Sequence, residues 1–142
     1  MRIAVHALVF DKNSVLAVRP EGAELLSLPK VFLREGETLA SAAKRALRKE
    51  TNIIVTEPEL QFVGIYDAVD RCPLCREVAA VLLARSWREA PADTLNLKSD
   101  CWVPDFLTAP WAFDYAQILT EQGLFAPLSR RMSPFDMTKT DA

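Results

Sequence analysis

LPKVFLREGETLASAAKRALRKETNI, residues 28–53, is the stretch on which the fold of this chain turns. In its second half Leu39, Ala42, Ala43, Ala46 and Leu47 recur at three- and four-residue spacing and make one apolar stripe. Lys44, Arg45, Arg48 and Lys49 flank it, so the spacing predicts an amphipathic helix from Leu39 to Glu50. Thr38 is the expected N-cap, since its hydroxyl can accept an orphan amide of the first turn. Asn52 is the expected left-handed residue that ends the helix. The first half of the stretch is apolar but irregular. Pro29 interrupts it, and it reads as a short strand or packed loop that turns at Gly36.

Working outward, Ile3 to Phe10 is apolar on both alternating faces, which is how a strand covered on both sides reads. Asp11-Lys12-Asn13 is a turn, and Ser14 to Arg19 returns as a second strand. After the helix, strands are expected at Ile53–Val55, Leu60–Ala68, Glu77–Trp87 and Cys101–Val103. A second helix is expected over Asp114–Gln122, with Tyr115, Ile118 and Leu119 inward and Gly123 as its stop. Residues 1–127 then form one domain, and residues 128–142, polar or small without a period, form a mobile tail. Strands, one helix, more strands and a late helix describe an α+β fold, an α/β/α sandwich around a mixed sheet.

Composition narrows the function. The 142 residues are half apolar and a quarter charged, as in a globular chain. A net charge of −2 gives none of the basic excess that general nucleic-acid binding uses, so such binding is not expected. No apolar run approaches a membrane span; the densest is Val78–Ala84. Met1-Arg2-Ile3 runs straight into a strand pattern, and three cysteines are an odd number for a disulfide framework. A cytoplasmic location is therefore expected.

The segment from Leu28-Pro29 through Gly36-Glu37-Thr38, the helix and Asn52-Ile53 resembles a Nudix box. That signature places Gly, five residues, Glu, seven residues, then Arg-Glu-aliphatic-any-Glu-Glu-any-Gly-aliphatic. Glu37, Arg45, Leu47, Glu50 and Ile53 occupy their places in it. Val31, Ala46, Lys49 and Asn52 stand where the pattern has Gly, Glu, Glu and Gly, so the box is degenerate. The two opening strands, Trp102-Val103-Pro104 and Ala112-Phe113-Asp114 also recur in such proteins. The likeness covers roughly residues 1 to 125 and implies the Nudix (MutT-like) fold. It further implies a hydrolase of nucleoside diphosphates linked to another moiety, with magnesium as cofactor. The alternative is a non-catalytic nucleotide-binding or regulatory protein on the same fold.

The resemblance also implies residue roles. Glu37, Arg45 and Glu50 fall on catalytic positions, Glu50 on a metal ligand, and Glu37 is expected to pair with Arg45. A phosphorus ringed by anionic oxygens is attacked only once cations neutralise charge, and hard cations take carboxylate oxygens. Positions 46, 49 and 50 lie at i, i+3 and i+4, one face of a helix. Here that face carries a methyl, an ammonium and one carboxylate. Unit charges about 4 Å apart interact by roughly 4 kcal/mol at an effective dielectric of about 20, and Lys49 turns that against a cation. Glu50 is then either a surviving ligand or half of a structural ion pair. Lys49, with Arg45 one turn away, either contacts a substrate phosphate or is a solvated flank.

Other candidates read as structural. Cys72-Pro73-Leu74-Cys75 is a C-x-x-C without a second pair; with Cys101 and His6 it could make a zinc site, but free thiols are expected. His6 reads as a core histidine, and Trp87, Trp102 and Trp111 as packing, with a base-binding pocket as the alternative. Asp67, Asp70, Glu77 and Asp100 fall at strand ends or loops, where a displaced metal site would draw its acids.

Overall fold

The computed structural model describes residues 2–19, 22–67, 76–90 and 100–133. A four-stranded mixed sheet forms its centre, in the order β4(Lys30–Phe32), β1(Arg2–Leu8), β7(Glu77–Ala84), β6(Leu60–Tyr66). β1 runs parallel to β7, from Arg2 opposite Glu77 to Leu8 opposite Leu83, and antiparallel to β4, with His6 opposite Lys30. Two smaller sheets flank it: β2(Phe10–Asp11), β3(Ser14–Val18) and β9(Asp100–Pro104) make one. β5(Ile53–Ile54), β8(Ser86–Glu89) and β10(Arg130–Arg131) make the other.

β1 is apolar on both faces because each face is covered by a helix. Val5 and Ala7, with Leu82 and Ala84 of β7, pack against Ala42, Ala43, Ala46 and Leu47 of α1(Leu39–Glu50). Leu8, Val81 and Leu83 pack on the opposite face against Tyr115, Ile118 and Leu119 of α2(Tyr115–Gln122). The result is the expected α/β/α sandwich. His6 is a buried core histidine on the α2 face, its Nε2 2.9 Å from the Tyr115 hydroxyl.

α1 begins where its sequence predicts, with the Thr38 hydroxyl accepting from the Ser41 amide at 3.1 Å. Its end differs. Asn52 is not left-handed; Thr51 closes the helix in an extended conformation, and its hydroxyl donates to the Leu47 carbonyl at 2.6 Å. A side-chain bond thus does what a left-handed residue would have done. α2 does stop at Gly123, which caps it in a right-handed conformation (φ −62°), and the chain then tightens into a 3-10 helix to Leu128.

Two further expectations need correction. The strand expected over Glu77–Trp87 is two strands broken at Arg85, whose amide donates to the Glu59 carbonyl at 2.8 Å while its own carbonyl accepts from Arg130. The segment expected as a tail from residue 128 contributes β10, parallel to β8, and the Ser129 hydroxyl donates to the Ala84 carbonyl at 2.6 Å. Backbone pairing holds Arg130–Arg131 although their side chains are exposed. Residues 134–142, Asp70 and the Cys72–Cys75 pair lie outside the described residues.

Candidate functional site

Gly36 takes φ +77°, a left-handed conformation that glycine adopts without strain, and turns the chain so that Glu37 faces the flank of α1. There Arg45 donates Nε to Glu37 Oε2 at 3.0 Å and Nη2 to Oε1 at 2.9 Å. The Arg34 amide adds a third bond to this carboxylate at 3.1 Å. The Arg45 guanidinium, prevailing over partial burial, holds the Glu37 carboxyl down at about 2. Glu37 in turn raises the pKa of Arg45. The same Nη2 donates to the Phe32 carbonyl at 2.7 Å, and Glu50 Oε1 accepts the Lys30 amide at 3.3 Å. These backbone groups lie on β4, the last strand of the central sheet. Arg45 and Glu50 therefore bind both ends of β4 to α1.

On the α2 face, Lys30 joins a cluster of charged and aromatic side chains. Its Nζ is 3.8 Å from Oε1 of Glu77, whose side chain is only 4% exposed. It also stands 5.8 Å from the Phe32 ring centre and 5.5 Å from that of Phe113. The Arg2 guanidinium carbon lies 3.6 Å over the Phe32 ring. Phe113 is half exposed and sits at φ +49°, uncommon for a bulky side chain. Its ring meets Tyr115 edge-on at 5.8 Å, which fixes its face. Two cations, two partly exposed aromatic faces and one buried carboxylate thus meet at the start of α2. Cation–π contact of this kind is worth about 0.5–2 kcal/mol, more where water is excluded.

The candidates named from sequence are distributed unevenly around these features. Arg45 and Glu50 converge on β4, and Glu37 holds Arg45. Lys49 is exposed in the last turn, and Arg45 is turned away from it toward Glu37. Ala46 is fully buried in the core beneath α1. The three box positions therefore offer a divalent cation a buried methyl, an exposed ammonium and a carboxylate whose Oε1 already holds a backbone amide. That donor set does not fit a hard cation seeking several carboxylate oxygens. Among the described residues, no three His, Cys, Asp or Glu side chains are grouped to hold a metal.

The remaining candidates are structural. Trp87 is buried, donates to the Phe10 carbonyl at 3.0 Å and packs on Trp102 with ring centres 5.0 Å apart. Trp111 is nearly buried and donates to the Phe106 carbonyl. Asp67 pairs with Arg76 at the surface, Asp100 lies opposite Val18 on β9, and burial raises the pKa of the Cys101 thiol. Lys30, Phe32 and Phe113 as a cluster were missed, because only the β1–β4 register and the position of α2 bring them together. The available signal was an exposed Phe between helix-start residues in Ala112-Phe113-Asp114. Among the described residues, no helix is long and apolar enough to cross a membrane.

A family model described as NUDIX domain matches residues 1–120. Comparison with curated proteins finds no match. Among solved structures, the chain is similar to a Francisella tularensis bifunctional NMN adenylyltransferase/ADP ribose pyrophosphatase solved with AMP and a manganese ion. The identity is 25%, the TM-score 0.66, and the match covers 88% of this chain and 42% of that one. It is similar to Shewanella oneidensis NrtR at 23% identity and TM-score 0.65, covering 84% of this chain and 60% of that one. NrtR has also been solved with a 27mer DNA. A mutator MutT protein from Bacillus halodurans matches at 18% identity and TM-score 0.69, covering 84% of this chain and 80% of that one. The chain thus spans about two fifths of the Francisella protein's length.

Proposed function

This chain belongs to the Nudix family, and from that premise we propose that it binds a nucleoside diphosphate derivative without hydrolysing it efficiently by metal-assisted water attack. The observation that carries the reading is the cluster of aromatic and charged side chains around Lys30. An ammonium between two aromatic rings suits a ligand that combines a base with phosphates. Glu77 neutralises Lys30 in the free protein, so an incoming phosphate competes with a partly exposed pair rather than meeting an isolated ammonium. Arg45 and Glu50, at catalytic positions of the family pattern, serve here to fix β4 to α1, and Glu37 orients Arg45. Lys49 remains a flank able to meet a phosphate from the solvent side. The magnesium of the family pattern has no matching donor set at positions 46, 49 and 50. The ligand is a small nucleotide in the cytoplasm rather than a nucleic acid.

A second reading, hydrolysis of the same ligand class, is favoured by the presence of Glu37, Arg45 and Glu50 and by the likeness to the Francisella pyrophosphatase. One experiment separates the two. Calorimetric titration with ADP-ribose and AMP is run beside a turnover assay containing Mg²⁺ or Mn²⁺. Binding that Phe113→Ala weakens about tenfold, with turnover far below about 1 s⁻¹, is the expected result. Turnover at or above that rate establishes the second reading, and absence of binding refutes the first.

A further inference from the structure

Away from β4 and the box, a groove of about 600 Å³ opens between the 3-10 turn Glu57–Glu59, the β7–β8 junction and the segment leading into β10. Pro58 and Leu128 give it an apolar side; Glu59, Arg85, Ser86 and Arg130 give it a polar one. Glu59 does not contribute a free charge. It is buried and accepts Arg88 Nη1 at 3.0 Å, Arg88 Nη2 at 2.7 Å, the Thr56 amide at 2.8 Å and the Ser86 hydroxyl. Burial pushes its carboxyl up, but these donors together hold it below its ordinary value.

What remains in the groove is two guanidinium groups. Among the described residues, no carboxylate forms an ion pair with Arg85 or Arg130. Both side chains are exposed, yet their backbones are held rigidly. The Arg85 amide donates to the Glu59 carbonyl at 2.8 Å, and the Arg130 amide donates to the Arg85 carbonyl at 2.9 Å. Both arginines line the groove, so their positive charges add there and favour an anion. A guanidinium presents a planar fork of donors that matches phosphate oxygens. Two such forks balance the charge of about −2 that a phosphomonoester carries near neutral pH, and the apolar side suits a hydrocarbon or ring body. The volume is within the range of small-molecule sites.

We propose that this groove is a second binding site, specific for a small phosphomonoester, with Arg85 and Arg130 as its anion clamp and Leu128 and Pro58 packing its body. None of these residues belongs to the box or to the Lys30 cluster. Because Arg130 comes from β10, occupancy also ties the C-terminal strand to the β7–β8 junction.

Amide NMR titrations with phenyl phosphate and with inorganic phosphate test this in the full chain. Phenyl phosphate should move the amides of Arg85, Ser86, Leu128 and Arg130 saturably, with a dissociation constant on the order of 1 mM or tighter. Inorganic phosphate should bind the same amides more weakly. Arg85→Ala and Arg130→Ala should each weaken binding at least tenfold, and Arg85→Lys less, while Lys30→Ala leaves it unchanged. The β10 amides report directly whether a variant keeps its strand, and Arg85→Ala leaves β10 intact. Shifts confined to β4 and the start of α2, equal affinity in wild type and Arg85→Ala, or no saturable movement in the groove overturns the proposal.

Discussion

Glu37→Gln isolates the clamp between the Gly36 loop and α1. The substitution keeps the shape and one acceptor oxygen but removes the charge that Arg45 faces. A carboxyl titrating at about 2 instead of 4.5 corresponds to about 3 kcal/mol at full strength, at about 1.4 kcal/mol per pH unit. Arg45 is 24% exposed and Glu37 12%, so solvent screening reduces the expected loss to about 1–2 kcal/mol. The pH dependence has a definite sign. Folding lowers the Glu37 pKa, so its contribution is complete above about pH 4.5 and is lost as the pH falls toward about 2. The side-chain amide of the variant does not titrate in that range. Urea unfolding at pH 7 should therefore separate wild type from variant by about 1–2 kcal/mol, and at pH 3 the gap should shrink markedly. A gap below about 0.5 kcal/mol at pH 7, or one of equal size at pH 3, refutes the assigned role of the pair.

Three other changes probe separate parts of the molecule. Arg88→Met leaves the buried Glu59 carboxylate without its charge partner and should cost about 3–5 kcal/mol by chemical denaturation, whereas replacing Arg88 and Glu59 together by Met and Leu should cost much less. Thr38→Ala removes the N-cap acceptor for the Ser41 amide and should lower stability by about 1 kcal/mol, read from thermal unfolding. Ala46→Glu places a carboxylate at a fully buried position, so it should destabilise the fold by several kcal/mol and not create a magnesium site; calorimetric titration with Mg²⁺ beside a melting curve decides between these outcomes.

Elements whose signal is local were legible in the sequence, and those made by distant pairing were not. The stripe from Leu39 to Leu47 and the hydroxyl of Thr38 place α1 to the residue, because period and cap lie within one segment. The pairing of Glu37 with Arg45 follows instead from the family resemblance, since no local period or cap indicates it. Arg85 gives no local sign of a break in an apolar strand, because the break answers to the Glu59 carbonyl and the Arg130 amide far along the chain. Arg130–Arg131 has no strand pattern at all; β8 supplies the partner that makes it one. The Lys30 cluster lies on the same side of this divide, since β1 must set the register before Lys30 and Glu77 can meet.

The attachment of β4 to α1 has a consequence for solubility. An outermost strand ordinarily shows a row of free amide and carbonyl groups on which another chain can build, the start of domain swapping or fibrils. Here Glu50 occupies the outward Lys30 amide and Arg45 the Phe32 carbonyl, both belonging to one helix laid along that border. The two side chains act as a shutter against intermolecular strand addition. Arg45 and Glu50 thus have a structural use apart from any chemistry: each occupies a backbone group on which a neighbouring strand would build.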